Sequence, residues 1–289
     1  MKADLKEFIS RFRRSRSACA GLAVLVIVVI AVSLSGMIPS GGRDEIDLDR
    51  SLEPPSAAHP FGTDAFGRDL LLMVLRGGRI SLTVGFVART ISLLLGIALG
   101  TLAGYGGRRA DSIVMRLADI TFAFPTLLLL IAIMAVATPG LVTLFTVLGV
   151  VGWAAMARLV RAQVLAVRER EYVQAAMAAG AGHFKIVAVY ILPQCLSTLI
   201  VVYTIGLGMT IMAESSLSFL GLGVQPPAPS WGRMISGGIA FMRTAPWLTL
   251  FPGLVLTLTV CSLNLLGDGL RDILDPKMFS GAKTIRGGF

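Results

Sequence analysis

Three stretches of this chain, 17–42, 186–213 and 244–267, contain no charged residue at all. A helix needs roughly 20 apolar residues to cross the hydrocarbon core of a bilayer. Inside lipid only helices and closed barrels satisfy their own backbone groups. The first stretch holds a span over 18–38, the second a span from about Leu192 to 213, and the third a span over about 248–266. Three further apolar runs complete a set of six: 80–103, interrupted by Arg89; 117–137, with Asp119 near its start and Pro125 inside; and a shorter run over 141–157. The expectation is an all-α polytopic membrane protein with six transmembrane helices.

Composition agrees. Only 15% of residues are charged and mean hydropathy is +0.78, against about 25% charged in an ordinary soluble domain. The segment from Lys2 to Arg16 followed by 18–38 has the order of a signal peptide. Its apolar part is too long for one and no small-residue cleavage site closes it, so it is read as a retained first helix. With six spans both termini share one side. The tail 1–17, the loops 104–116 and 158–185 and the tail 268–289 carry 18 basic against 8 acidic residues, whereas the opposite loops 38–79 and 214–243 carry 7 against 8. The positive-inside rule therefore puts both termini in the cytoplasm, around a membrane domain spanning 18–267. The net charge of +9 is thereby used in orientation, and no nucleic-acid partner is expected. Membrane lipid is the expected surrounding. The basic tail with Arg11, Arg13, Arg14 and Arg16 reads as a stop that holds the first span, with an amphipathic helix on anionic lipid as the alternative.

Cys19, Cys195 and Cys261 sit in apolar stretches as small fillers, and His59 and His183 have no metal-like spacing to any of them. Asp268, Asp272 and Asp275 read as a solvated tail rather than a metal site. No Walker A pattern occurs and no serine–histidine or cysteine–histidine centre is evident, so no catalytic, cofactor-binding or metal role is expected of this chain alone.

Gly96, Gly100 and Gly104 recur at a spacing of four and share one helix face, which admits close approach of another helix from this or another chain. Pro125 removes a backbone donor and predicts a bent helix facing protein. Arg89 is expected to snorkel outward, with a role at a translocation path as the alternative.

In the 158–185 loop, Tyr172, Ala175, Ala176 and Ala179 follow a helical period and Gly180 suits a left-handed cap. A short cytoplasmic helix with a shallow, small-residue face is expected. Periodicity admits both docking on another protein and packing on the chain's own spans. On the opposite side, Arg68 with Asp69 or Asp64 with Arg79 are candidate ion pairs, and His59 reads as a loop residue. Leu217, Phe219, Leu220 and Leu222 suggest a short re-entrant or surface segment. Glu214 suits either an aqueous vestibule or a structural role, and Trp231 and Trp247 suit the outer interface.

The 171–193 region resembles the "EAA" loop of ATP-binding-cassette importer permeases. Ala175, Ala176, Gly180, Leu192 and Pro193 match it, Gln174 stands in place of the usual glutamate with Glu171 nearby, and Tyr190 stands where isoleucine is common. Three other blocks resemble the dipeptide/oligopeptide/nickel permease family, second-permease type. One runs from His59 through Asp64, Arg68, Asp69 and Arg79 to Leu82. Another runs from Glu214 through Gly223 and Pro226-Pro227 to Trp231-Gly232, and the last is the ending Gly267-Asp268 through Asp275-Pro276.

The resemblance implies a pair of permeases, this chain and a related second one, two ATP-binding subunits that use ATP and magnesium, and an extracytoplasmic binding protein, all at the bacterial inner membrane. It implies that Glu171, Tyr172, Gln174, Ala175, Ala176, Ala179, Gly180 and His183 form the coupling element. It places Asp64, Arg68, Asp69, Arg79, Glu214 and Trp231 on the binding-protein side. Dipeptides or oligopeptides are the first expected cargo; nickel or its chelate, glutathione and small glycosides are the alternatives. An ion-coupled secondary transporter is a separate class of reading. It calls for an inverted repeat and acids near the midplane, and neither is seen.

Overall fold

The computed structural model describes residues 10–36 and 46–274. Among them the chain is helical, with an isolated Thr63–Asp69 bridge and no sheet. Lys2 and the rest of 1–9, residues 37–45, and Asp275 and Pro276 lie outside the described residues.

After a helical turn over 10–14, the first long helix, α1 (Arg16–Leu34), starts where the Ser15 side chain accepts from the Ala18 amide. The second, α2 (Leu70–Tyr105), is a single 36-residue rod. At about 1.5 Å per residue it is far longer than the ~30 Å hydrocarbon core. It starts ten residues before the apolar run, because Asp69 caps its first turn through the Leu72 amide. Arg76 and Arg79 therefore lie on a helix and not in the outer loop.

The third span is broken. Helices α3 (Arg108–Phe122) and α4 (Thr126–Val136) meet at 86° around Ala123–Pro125. Pro125 caps a new helix instead of kinking one, so the expected bend takes the form of a break, and its ring is exposed on this chain. The fourth span joins α5 (Leu141–Val151) to α6 (Trp153–Arg168), which carries the helix eleven residues past the expected end at 157. The short α7 (Glu171–Ala178) follows. The chain then turns at His183–Lys185, widens to a π-helical stretch Ile186–Ile191 and enters α8 (Leu192–Phe219). The widening sits just before Pro193, which has no amide hydrogen to continue the α pattern. The small α9 (Trp231–Ile239) leads to α10 (Trp247–Leu274), which takes Asp268 and Asp272 onto a helix rather than into a tail.

Among the described residues five helical segments are long and apolar enough to cross a membrane, and six if the bent α3–α4 pair is one span. They pack through missing side chains. A Cβ at Gly96 would overlap Met156, one at Gly100 would come within 2.6 Å of the Ala157 carbonyl oxygen, and one at Gly104 within 2.8 Å of the Val164 Cβ. The partner of the glycine stripe is thus α6 of the same chain. At the edge, Gly21 of α1 lies against the Ser262 carbonyl of α10. Because α2 runs the full height, it defines two ends. The Leu70 end carries the loops 46–69 and 220–246, and the Tyr105 end carries α7.

Candidate functional site

At the Tyr105 end, α7 is held from beneath and open above. Val173 is buried, Ala176 and Met177 are half-buried, and Glu171, Tyr172, Gln174, Ala175 and Ala179 are exposed. The exposed set is one face of two helical turns, where the alanines Ala175 and Ala179 stand beside one large aromatic, Tyr172. Two hydrogen bonds finish the helix: Gly180 N–H to the Met177 carbonyl, 3.0 Å, and Ala181 N–H to the Ala176 carbonyl, 3.1 Å. That 6→1 and 5→2 pair needs a left-handed residue between, and Gly180 has φ +80. The Gln174 side chain turns back and donates to the Arg168 carbonyl, 2.9 Å, tying α7 to the end of α6.

His183 does not extend that face. Its Nδ1 lies 2.9 Å from the Tyr105 hydroxyl, turned toward the last residue of α2. Phe184, next to it, is 86% exposed. The sequence reading assigned no role to Tyr105 or Phe184; the exposure of an aromatic beside α7 has no periodic signature from which to find it. Near the same end, Asp111 and Asp119 of α3 pair with Arg161 and Arg158 of α6, the Arg161 Nη2–Asp111 Oδ2 contact being 2.6 Å. Arg158 also lies over the Phe122 ring at 4.2 Å. Asp119 thus has a cationic partner, and it is not Arg89.

Arg89 does not snorkel. It is 8% exposed and donates to the Val202 carbonyl of α8 at 2.7 Å and to the Met156 sulfur at 3.3 Å, with its Nε unpaired. The notch that receives it is Gly206, where any Cβ would overlap the guanidinium. Burial against a glycine notch thus replaces the outward reach. Next to it the Thr90 and Tyr203 hydroxyls meet at 2.9 Å.

At the Leu70 end the expected loop pairs are replaced by others. Asp64 binds Arg68, with Oδ2 2.6 Å from Nη2, and also accepts from the Phe66 and Arg68 amides. Asp69 pairs with His59 Nδ1 at 3.0 Å while capping α2. Neither Arg68–Asp69 nor Asp64–Arg79 forms, because an aspartate that closes a turn on its own backbone points away from the partner next to it in sequence. Leu217 and Phe219 are on the last turns of α8 rather than in a re-entrant loop. Glu214 is fully buried, accepting from Ser218 Oγ at 2.6 Å and Ser215 Oγ at 3.3 Å, so it faces no vestibule. Trp231 is also fully buried, away from any interface, and its Nε1 donates to the Val74 carbonyl, 2.9 Å. Beside them a cleft of about 620 Å³ opens between Phe66, Arg68, Pro226, Arg233 and Phe241. No group of three or more histidine, cysteine, aspartate or glutamate side chains suited to a metal occurs among the described residues.

A bundle of over-long helices with one span broken at a sharp bend is a polytopic membrane protein of the kind in which transport paths are built. The family profile "Binding-protein-dependent transport system inner membrane component" matches residues 96–280, and the profile "N-terminal TM domain of oligopeptide transport permease C" matches 5–55. Among curated relatives, the dipeptide transport system permease protein DppC of Alkalihalophilus pseudofirmus is 41% identical over 95% of this chain and 90% of its own length. The glutathione transport system permease protein GsiD of Pectobacterium atrosepticum is 42% identical over 97% and 93%. The oligopeptide transport system permease protein OppC of Bacillus subtilis is 38% identical over 94% and 90%. The fold also matches a chain of the MetNI methionine ABC transporter in inward-facing form, with a TM-score of 0.56 at 19% identity, covering 71% of this chain and 97% of that one. The chain belongs to the peptide/nickel family of binding-protein-dependent ABC-importer permeases, as a second-permease type. It is a multi-pass inner-membrane subunit and not itself catalytic; in this class ATP hydrolysis belongs to separate subunits.

Proposed function

We propose that this chain and a related second permease enclose the path of an importer for short peptides, with two ATP-binding subunits below and a binding protein above. The relatives named for dipeptides, oligopeptides and glutathione, itself a tripeptide, support the peptide class of cargo. The carrying observation for the partners is α7: a helix anchored through Val173, closed by Gly180, and open on a face where Tyr172 stands among alanines. Such a face suits insertion into a groove on another protein better than contact with lipid headgroups, which would favour basic residues. The coupling element is therefore Glu171, Tyr172, Gln174, Ala175 and Ala179, with Ala176 and Gly180 shaping it from within. ATP and magnesium act in the partner subunits, whose closure displaces α7 and alternates access of the path. Asp64, Arg68, Asp69, Arg79, Glu214 and Trp231 build the extracytoplasmic end, most of them by fixing the loops that meet the binding protein rather than by touching it.

Ala175→Arg tests the docking. The residue is exposed, so the fold tolerates the longer side chain, while a groove shaped for alanine does not. In the full complex the expected outcome is loss of co-purifying ATP-binding subunits and of labelled dipeptide uptake into vesicles. Wild-type assembly with wild-type uptake would remove α7 as the docking element.

A further inference from the structure

We infer that Tyr105 is the joint through which displacement of α7 reaches α2, making it a positioning residue for transport. The inference rests on the docking of α7 proposed above and goes beyond it, since it concerns residues that do not touch the ATP-binding subunits.

Three contacts converge on this one side chain. The hydroxyl is 2.9 Å from His183 Nδ1, in the turn that leads from α7 to α8. The two rings meet edge-on, with centroids 5.7 Å apart. The Arg168 guanidinium, at the end of α6, lies 5.5 Å from the centre of the Tyr105 ring. Arg168 is also the residue whose carbonyl receives the Gln174 side chain of α7. The α7 segment is thus tied to Tyr105 twice, through His183 in the turn that follows it and, from its middle, through Gln174 and Arg168. The ring itself packs against the cluster that includes Val164, Val167, Val173 and Ile186, so it is not free to follow either tie alone.

What lies above Tyr105 makes the contact mechanical. It is the last residue of an unbroken 36-residue helix. Helix α2 carries no proline, and its other end is fixed by Asp69 to His59 and by the Val74 carbonyl to Trp231. The α3–α4 and α5–α6 spans, by contrast, are interrupted at Pro125 and Gly152, and the α8 segment at its π-helical stretch. A push at α7 is absorbed at those breaks, whereas α2 conveys it whole to the Leu70 end. Coupling of this sort runs through a packed, hydrogen-bonded contact with a rigid element behind it, and it acts equally in the reverse direction on binding.

Tyr105→Phe is the discriminating variant, because it keeps the ring, the packing and the Arg168 contact and removes only the hydroxyl. In the complete transporter reconstituted in vesicles, assembly and ATP hydrolysis without binding protein are expected to stay at wild type. Stimulation of ATP hydrolysis by liganded binding protein is expected to fall by roughly 2- to 10-fold, the range that one net hydrogen bond spans. His183→Ala removes the same bond together with the edge-on ring contact, so it is expected to cost less in the Tyr105→Phe background than in the wild type, the hydrogen bond being lost only once. Unchanged stimulation in Tyr105→Phe, a loss of assembly, or fully additive losses in the double variant would each overturn the joint. The outcome is separable from that of Ala175→Arg, which reports on whether the ATP-binding subunits stay attached.

Discussion

Arg89 and Gly206 are a lock and its recess. A guanidinium in the bilayer interior is costly unless protein surrounds it, and here a missing side chain on α8 makes the surrounding possible while the Val202 carbonyl supplies an acceptor. Gly206→Ala puts a methyl where the guanidinium lies, and the crowding is expected to cost about 1–3 kcal/mol. Gly253, also inside a helix, has nothing within 4 Å of the position a Cβ would take. Gly253→Ala should therefore be neutral or raise stability by up to about 1 kcal/mol through helix propensity. Thermal unfolding of the two variants in detergent reads the contrast; equal melting temperatures would mean that the recess is not tight. Nothing local in the sequence pairs residue 89 with residue 206. The snorkelling expectation failed because it weighed the length of the arginine side chain and not the shape of its neighbour.

Among the helices, α7 was the most legible from sequence. Its period, its alanines and the glycine at its end are all local signals, and the cap forms where they place it. Gly180→Val is expected to strain the backbone at φ +80, by about 1–3 kcal/mol for a non-glycine residue held there. The last turn of α7 would loosen and uptake would fall several-fold, on the order of the tenfold change that 1.4 kcal/mol represents. Gly182, with φ −65, is in an ordinary extended conformation with open space around it. Gly182→Val should keep near-normal uptake, and parallel losses in the two variants would show that the left-handed cap is not what matters.

The ends of the long helices were much less legible. Apolar composition marks only what lies in lipid, whereas α2, α6 and α10 continue past it on charged residues. Arg158 and Arg161 read as loop cations until Asp119 and Asp111, 39 and 50 positions away, are seen to hold them on α6. The break at Pro125 was visible as a bend; that it starts a new helix with an exposed ring depends on backbone hydrogen bonding that the residue type alone does not settle.

For the molecule as a whole, the direction in which it sits follows from where cations accumulate. Arg108, Arg109, Arg116, Arg158, Arg161, Arg168, Arg170 and Lys185 all belong to the half of the molecule that ends at Tyr105. Only two of these are matched by the described aspartates of α3. Retaining such a surplus on the translocated side would oppose the membrane potential, by about 2.3 kcal/mol per charge per 100 mV. The Leu70 end, by contrast, commits Arg68 to Asp64 and Arg50 to Asp47 in ion pairs. The Tyr105 end should therefore face the cytoplasm, which is also the only side on which ATP is available to the partners of α7. Cysteines placed at two exposed positions decide this: Ala57→Cys in the loop before α2 and Ala179→Cys at the end of α7, in a chain produced without the ATP-binding subunits and with Cys19, Cys195 and Cys261 replaced by alanine. A membrane-impermeant maleimide applied to intact spheroplasts should label Ala57→Cys and spare Ala179→Cys, and opening the membrane should make both reactive. Labelling of Ala179→Cys in sealed cells would invert the molecule. An inverted α7 has no nucleotide-driven partner to meet, so the same result would remove the docking and the Tyr105 joint together.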